Sequence, residues 1–212
     1  MLKINEIYKS IQGESTYAGL PCIFIRLTYC NLRCTYCDTE YAFYEGRDMS
    51  LDEIINQISQ LDCKLVEVTG GEPLVQSESL DLMKHLCDEG YKVLLETGGS
   101  LPVENVDPRV IIIMDLKCPS SGMMNKNRYA NLQFLKPEDE LKFVIGDEED
   151  YEWSKNIINE HRLTGRCNIL FSCVFGKITP GKLTSLILKD KLNVRFQLQM
   201  HKYIWAPETK GV

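Results

Sequence analysis

Three cysteines in the run Tyr29-Cys30-Asn31-Leu32-Arg33-Cys34-Thr35-Tyr36-Cys37-Asp38 are the residues of this chain best spaced to do chemistry. The Cys-x3-Cys-x2-Cys spacing lets three thiolates converge on one small object, and soft thiolates select zinc, copper(I) or an iron–sulfur cluster. A structural zinc normally takes four ligands. No second Cys-x2-Cys or His-x3-His pair follows to complete such a set, and the histidines at 85, 161 and 201 are scattered singly. On a cubane of four irons, three thiolates leave one iron able to take a substrate or cofactor, a vacancy that a four-cysteine electron-transfer cluster lacks. A structural zinc, a redox Cys-x2-Cys or a chance grouping stands beside that reading.

Other groups recur where apolar runs end. Thr69-Gly70-Gly71-Glu72-Pro73 follows one such run; its glycines permit close backbone approach to a ligand, and Glu72 offers an acceptor for an ammonium group. Glu96-Thr97-Gly98-Gly99-Ser100, Asp115-Leu116-Lys117 and Ser172-Cys173-Val174-Phe175 follow three more. Ordinary strand-to-helix turns and a solvated lysine account for each of these taken singly. Before the cysteines lies Ser10-Ile11-Gln12-Gly13-Glu14-Ser15, with Arg26 between, and Asp38-Thr39 comes directly after. Gln12, Gly13, Glu14 and Arg26 together suit a heterocycle with amide and carboxylate edges. Glu14 would accept from ring N–H and amino groups, and Arg26 would grip a carboxylate in a bidentate fork. A helix-breaking loop with a surface ion pair is the plainer reading of Gln12 or Glu14 alone.

The elements that must position these residues are short apolar runs: 22–27, 65–68, 92–96, 110–115, 141–145, 168–171 and 194–198. They read as buried strands. Helices separate most of them. One begins at Ser50 with Glu53 three residues on, a capping-box pattern; others span 78–87, 150–161 and 182–192. Alternating strands and helices predict a parallel sheet of the α/β class. The length is near the lower limit for a complete eight-stranded barrel, so we expect a partial, TIM-like β/α barrel with shortened helical content. With no repeat or Pro/Gly/Ser-rich linker, residues 1–212 read as a single domain.

Composition narrows the function. The chain has 212 residues, 44% hydrophobic and 25% charged, as in an ordinary globular protein. A net charge of -6 supplies no basic surplus for a phosphate backbone, so nucleic acid is a poor partner. Runs such as 110–114 are far too short to span a bilayer, and the start lacks a secretory core; a cytoplasmic location is expected. Nine cysteines are an odd number and exclude a complete intramolecular disulfide set. Cys22, Cys63, Cys87, Cys118, Cys167 and Cys173 read as core or incidental.

The cysteine run, with Tyr36 before the last cysteine, resembles the radical S-adenosylmethionine enzymes. The resemblance implies that Cys30, Cys34 and Cys37 bind a 4Fe-4S cluster whose fourth iron chelates S-adenosylmethionine. One-electron cleavage would then yield a 5′-deoxyadenosyl radical. Gly70-Gly71-Glu72-Pro73 matches the family segment that holds the methionine amino group. Gln12-Gly13-Glu14, Cys37-Asp38-Thr39, Glu96-Thr97-Gly98-Gly99 and Gln199-Met200-His201-Lys202 resemble a subfamily of lyases over nearly the whole chain. Those enzymes contract 6-carboxy-5,6,7,8-tetrahydropterin to 7-carboxy-7-deazaguanine and ammonia, in queuosine-type deazapurine biosynthesis. In the mechanism this implies, the radical takes hydrogen from C6 of the pterin, the ring contracts, hydrogen returns and ammonia leaves.

The match further implies pterin contacts from Gln12, Gly13, Glu14, Arg26 and Thr97. Contacts to S-adenosylmethionine are implied at Tyr36, Cys37, Asp38, Gly71, Glu72, Gly99, Lys117 and Ser172, and Mg2+ at Thr39. It also implies a homodimer and a flavodoxin- or ferredoxin-like electron donor. Some members end at a proline matching Pro207, whose terminal carboxylate enters the substrate site; here residues 208–212 follow, so the tail is expected to turn away or another carboxylate to serve. A glycyl-radical activase sharing the cysteine run is the second reading, and a metal-stabilised binding module without catalysis the third.

Overall fold

The computed structural model describes residues 1–207 and 209–212; Glu208, in the tail after Pro207, lies outside them. β-structure starts earlier than the apolar runs predict. β1 (Leu2–Ile11) buries Leu2 and Ile4 while its intervening residues stay partly exposed, so it carries alternation rather than a continuous apolar run. It pairs antiparallel with β2 (Pro21–Leu27) on one side and with the short β3 (Arg47–Met49) on the other.

From β2 onward every pairing is parallel: β4 (Leu65–Gly70), β5 (Lys92–Thr97), β6 (Ile111–Leu116), β7 (Glu140–Ile145), β8 (Asn168–Cys173) and β9 (Arg195–Phe196). The sheet order is β3-β1-β2-β4-β5-β6-β7-β8-β9, with free edges at β3 and β9. This is the open, partial barrel expected. The last strand is shorter than the 194–198 run: after Phe196 the chain leaves the edge to carry Gln197 inward, its N–H donating to the Phe171 carbonyl at 2.9 Å.

Helices α1 (Leu51–Ser59), α2 (Ser79–Asp88), α3 (Glu148–Glu160) and α4 (Pro180–Asp190) cover one face, and α5 (His201–Ile204) closes the chain. The β5–β6 crossover carries no helix and the β6–β7 crossover only 3-10 turns, which is the shortened helical content. α3 and α4 begin two residues before the expected starts because of their caps. Asp147 accepts from the Asp150 N–H, and Thr179 accepts from the Lys182 N–H with Pro180 at the first helical position. α1 has its capping box: Ser50 Oγ accepts from Glu53 N at 3.2 Å and Glu53 Oε2 from Ser50 N at 2.7 Å. Ser50→Ala is expected to cost about 1 kcal/mol in urea unfolding, within a range of about 0.5–2; an unchanged midpoint would contradict the cap.

Side-chain alternation sorts the strands into two faces. Ile23, Ile25, Val66, Val68, Val93 and Leu95 pack under α1 and α2, while Met114, Leu116, Leu141, Phe143 and Ile145 pack under α3 and α4. On the other face, Cys22, Phe24, Leu65, Leu94, Ile111 and Ile113 form a small apolar floor. Above that floor the same face turns polar. The loop after β1 reaches β7: Lys142 Nζ lies 2.9 Å from Glu14 Oε2, and the Thr16 N–H donates to Glu140 at 2.9 Å. Five strand spacings of ~4.8 Å separate β1 from β7 in a flat sheet, roughly 24 Å. Direct contact across that span requires the sheet to curl around a lumen.

Candidate active site

The lumen opens at the C-terminal ends of the parallel strands as a cavity of about 710 Å³, within the range of small-molecule sites. Of the nine cysteines, Cys30, Cys34 and Cys37 line it. They sit on the loop that leaves β2, which is fastened by protein contacts. Thr35 N donates to the Ser121 carbonyl at 3.0 Å and Thr35 Oγ1 to that of Ser120 at 2.7 Å. Ser120 in turn is held by buried Asp150 of α3, which accepts from its N–H at 2.9 Å and from its hydroxyl. The Tyr36 hydroxyl donates to the Val144 carbonyl of β7 at 3.4 Å.

Gly71 is where the loop meets the next turn. A Cβ there would strike the Tyr29 carbonyl and come within 2.8 Å of Cys30 Cβ, so only glycine lets the loop settle on it. Tyr29, which starts the loop, holds a left-handed backbone (φ 78°), a strained conformation of the kind that clusters at functional sites.

The donor set fits an iron–sulfur cluster. The three thiols are half-buried, and burial pushes those of Cys30 and Cys34 up, Cys34 to about 11, so metal loading must displace protons there. Among the described residues no three His, Cys, Asp or Glu side chains converge tightly enough for a single ion.

The rest of the cavity wall is charged. Lys142, buried in β7, pairs with Glu14 and with Glu96 of β5, and lies 3.8 Å from Asp115. Asp115 pairs with Lys117 at 2.9 Å. Burial works against ionisation of Glu96, but Lys142 and the Thr69 hydroxyl overcome it and hold its carboxyl down at about 2. Arg26 donates through Nε to Glu6 at 2.8 Å and through Nη2 to the Tyr8 hydroxyl at 2.9 Å. Gln12 donates to Glu67 of β4 and accepts the Glu14 N–H at 3.0 Å.

At the mouth, α5 docks on the loop after β1. Met200 N donates to the Gly13 carbonyl at 2.8 Å, and a Cβ on Gly13 would collide with the His201 ring. Lys202 Nζ pairs with Asp38 at 2.8 Å. The tail does not turn away: Pro207, Thr209, Lys210, Gly211 and Val212 all line the same cavity, with the Lys210 ammonium over the Tyr41 ring.

Of the residues singled out from sequence, Gln12, Gly13, Glu14, Arg26, Thr97, Tyr36, Asp38, Thr39, Gly71 and Lys117 line the cavity with the three cysteines. Glu72, Gly99 and Ser172 stand behind its wall. Glu72 is fully buried and spends its carboxylate on the Leu74 and Gly98 N–H groups and the Thr97 hydroxyl, tying the two glycine turns together. Gly99 faces Met114, and Ser172 is buried in β8. Sequence reading quoted Thr69, Glu96 and Asp115 in the strand-end groups without giving them a role of their own, and it missed Glu67 and Lys142. Their signal was present: each is a polar residue inside an otherwise apolar strand, which must face either water or a polar interior.

Residues 24–162 match the family model described as the Radical SAM superfamily, and this defines the class: a radical S-adenosylmethionine enzyme, which implies a 4Fe-4S cluster and S-adenosylmethionine. The 7-carboxy-7-deazaguanine synthase of Chlorobaculum tepidum is 51% identical over 214 residues, covering 100% of this chain and 97% of that protein. The synthase of the same name from Koribacter versatilis is 48% identical over 100% of both. The crystal structure of QueE from Escherichia coli shares the fold, with a TM-score of 0.78 over 94% of each chain at 23% identity. The chain belongs to the 7-carboxy-7-deazaguanine synthase family.

Proposed function

We propose that this chain, a single domain over 1–212, works as a lyase that contracts 6-carboxy-5,6,7,8-tetrahydropterin to 7-carboxy-7-deazaguanine and ammonia, feeding queuosine-type deazapurine synthesis. The observation that carries this reading is that the three cysteines and the set Gln12, Gly13, Glu14 and Arg26 open into one cavity. Cys30, Cys34 and Cys37 would hold the cluster, which with S-adenosylmethionine supplies the hydrogen-abstracting 5′-deoxyadenosyl radical. Tyr36, Asp38, Gly71 and Lys117 border the cysteines and would bind the S-adenosylmethionine. Glu72, Gly99 and Ser172 would act from behind by shaping the turns that touch it.

On the pterin side, Glu14 is ion-paired with Lys142 and would accept ring N–H groups. Because Glu6 occupies Arg26 Nε, the substrate carboxylate would be gripped by the outer guanidinium nitrogens rather than the whole fork. Thr97 lines the wall but donates its hydroxyl to Glu72, so it would meet the pterin as an acceptor or by shape. Thr39, beside Cys37, would place Mg2+ against the substrate carboxylate; Mg2+ keeps most of its waters and needs few protein oxygens.

Outside the cavity, a flavodoxin- or ferredoxin-like protein would supply the electron, and the chain would act in the cytoplasm as a homodimer. Among the described residues no helix is long and apolar enough to cross a membrane. Anaerobic incubation of reconstituted enzyme with the carboxy-tetrahydropterin, S-adenosylmethionine, Mg2+ and a reductant tests the reading. A product of the mass of 7-carboxy-7-deazaguanine is expected. An intact cluster with no such product would refute it and favour an activase.

A further inference from the structure

Glu67 is the carboxyl in the cavity for which sheet and charge leave no obvious role. It projects inward from the middle of β4, is 3% exposed, and lines the wall. Around it stand Tyr8, Gln12 and Glu14 from β1 and its loop, Cys22 of β2, Glu96 of β5 and Lys142 of β7. Lys142 makes its ion pairs with Glu14 and Glu96, and among the described residues no cation forms one with Glu67. Among the described residues its side-chain partner is the neutral amide of Gln12.

We propose that Glu67 is a positioning residue for the pterin: its carboxyl holds the Gln12 amide by the nitrogen while the Glu14 N–H holds it by the oxygen. Pinned at both ends, Gln12 keeps one N–H and one lone pair to offer. That is the complement of an amide-like donor–acceptor edge, as on the pyrimidinone half of a pterin. The inference rests on the pterin-contracting activity proposed above.

Glu67 does this uncharged. A carboxylate this deeply buried, with no ion-pair partner of its own and beside the ionised Glu96, is too costly to keep. Burial, reinforced by Glu96 and only partly offset by the nearby Lys142, raises its pKa well above the ordinary carboxyl range. An uncharged Glu67 also spares the cavity a third negative charge beside Glu14 and Glu96, which already share Lys142.

The test compares Glu67→Gln with Glu67→Leu in reconstituted holoenzyme. Glutamine keeps a neutral acceptor for Gln12, so KM and kcat for the carboxy-tetrahydropterin, and their pH profile, should stay within about threefold of wild type. Leucine removes the acceptor, and KM should rise about tenfold or more, the order expected when a buried donor loses its partner. Pterin-independent formation of 5′-deoxyadenosine should change little in either variant. In apo-protein, the difference infrared spectrum of wild type minus Glu67→Gln should show a protonated carboxylic acid at pH 7.

Equal damage by both substitutions, a carboxylate band instead of an acid band, or equal loss of 5′-deoxyadenosine formation in the leucine variant would each overturn the inference while leaving the reaction standing. Wild-type enzyme that makes no deazaguanine would overturn the reaction, and this inference with it.

Discussion

Cys34→Ala protein, purified and reconstituted without air, is expected to lack the broad visible absorption of an iron–sulfur cluster and to form neither 5′-deoxyadenosine nor deazaguanine. Cys34 is the middle of three thiols that line the cavity from one loop. Two thiolates cannot hold four irons in the orientation that leaves one open. The loop should nonetheless survive, because Thr35 and Tyr36 tether it to Ser120, Ser121 and Val144 without help from the cysteine. Circular dichroism and melting should therefore match those of cluster-free wild type. Iron content near wild-type level with continued cleavage of S-adenosylmethionine would refute the ligand role. Unfolding of the variant would show that the protein contacts do not suffice to hold the loop.

Lys142→Met should have the largest effect of any substitution outside the cluster loop. One ammonium group bridges Glu14 and Glu96 and stands near Asp115, so its removal leaves Glu14 and Glu96 without their counter-charge beside Asp115, which keeps Lys117. Breaking a buried ion pair from one side costs about 3–5 kcal/mol. A matching loss of pterin binding through Glu14 would lower kcat/KM by about a hundredfold or more.

The stability loss should depend on pH, with a definite sign. In wild type the Glu96 carboxyl is depressed to about 2, so its contribution is complete above the unfolded value of ~4.3 and fades only as pH falls toward 2. In the variant, buried carboxyls without a cation titrate above ~4.3, so the folded state retains protons that the unfolded chain has released. The gap to wild type therefore opens as pH rises from about 4 towards neutrality, and urea melts at pH 5 and pH 8 measure it. A gap that is equal at both, or larger in acid, would contradict the role of Lys142 as the shared counter-charge.

The parts of the site that depend on local spacing were legible in the residues. The cysteine run, the Gly70-Gly71 turn and Gln12-Gly13-Glu14 are each compact in sequence, and the strands that carry the first two are continuous apolar runs. What escaped depends on register. Whether Glu67, Glu96, Asp115 or Lys142 faces the lumen or the helices is decided by the pleat and by which neighbour pairs with which. One such residue in a strand is indistinguishable by periodicity from an edge position.

β1 escaped for a related reason, because its alternating pattern carries only half the apolar signal of a central strand. Glu72 shows a second limit of sequence reading. A carboxylate beside two glycines reads as a ligand acceptor, and only the fold shows that it also accepts from two backbone N–H groups and a hydroxyl of the turns it joins. The C-terminal segment could not be placed at all without the fold, since its contacts to Gly13 and Asp38 bridge more than 160 positions.

The tethers from α3 through Ser120 to Thr35 have a bearing on biogenesis. Since the cysteine loop takes its shape from hydrogen bonds within the polypeptide, a newly made chain can finish folding before any iron reaches it. Delivery machinery would then meet a finished receptacle, and a molecule stripped by oxygen would remain a refillable shell instead of becoming a substrate for proteases.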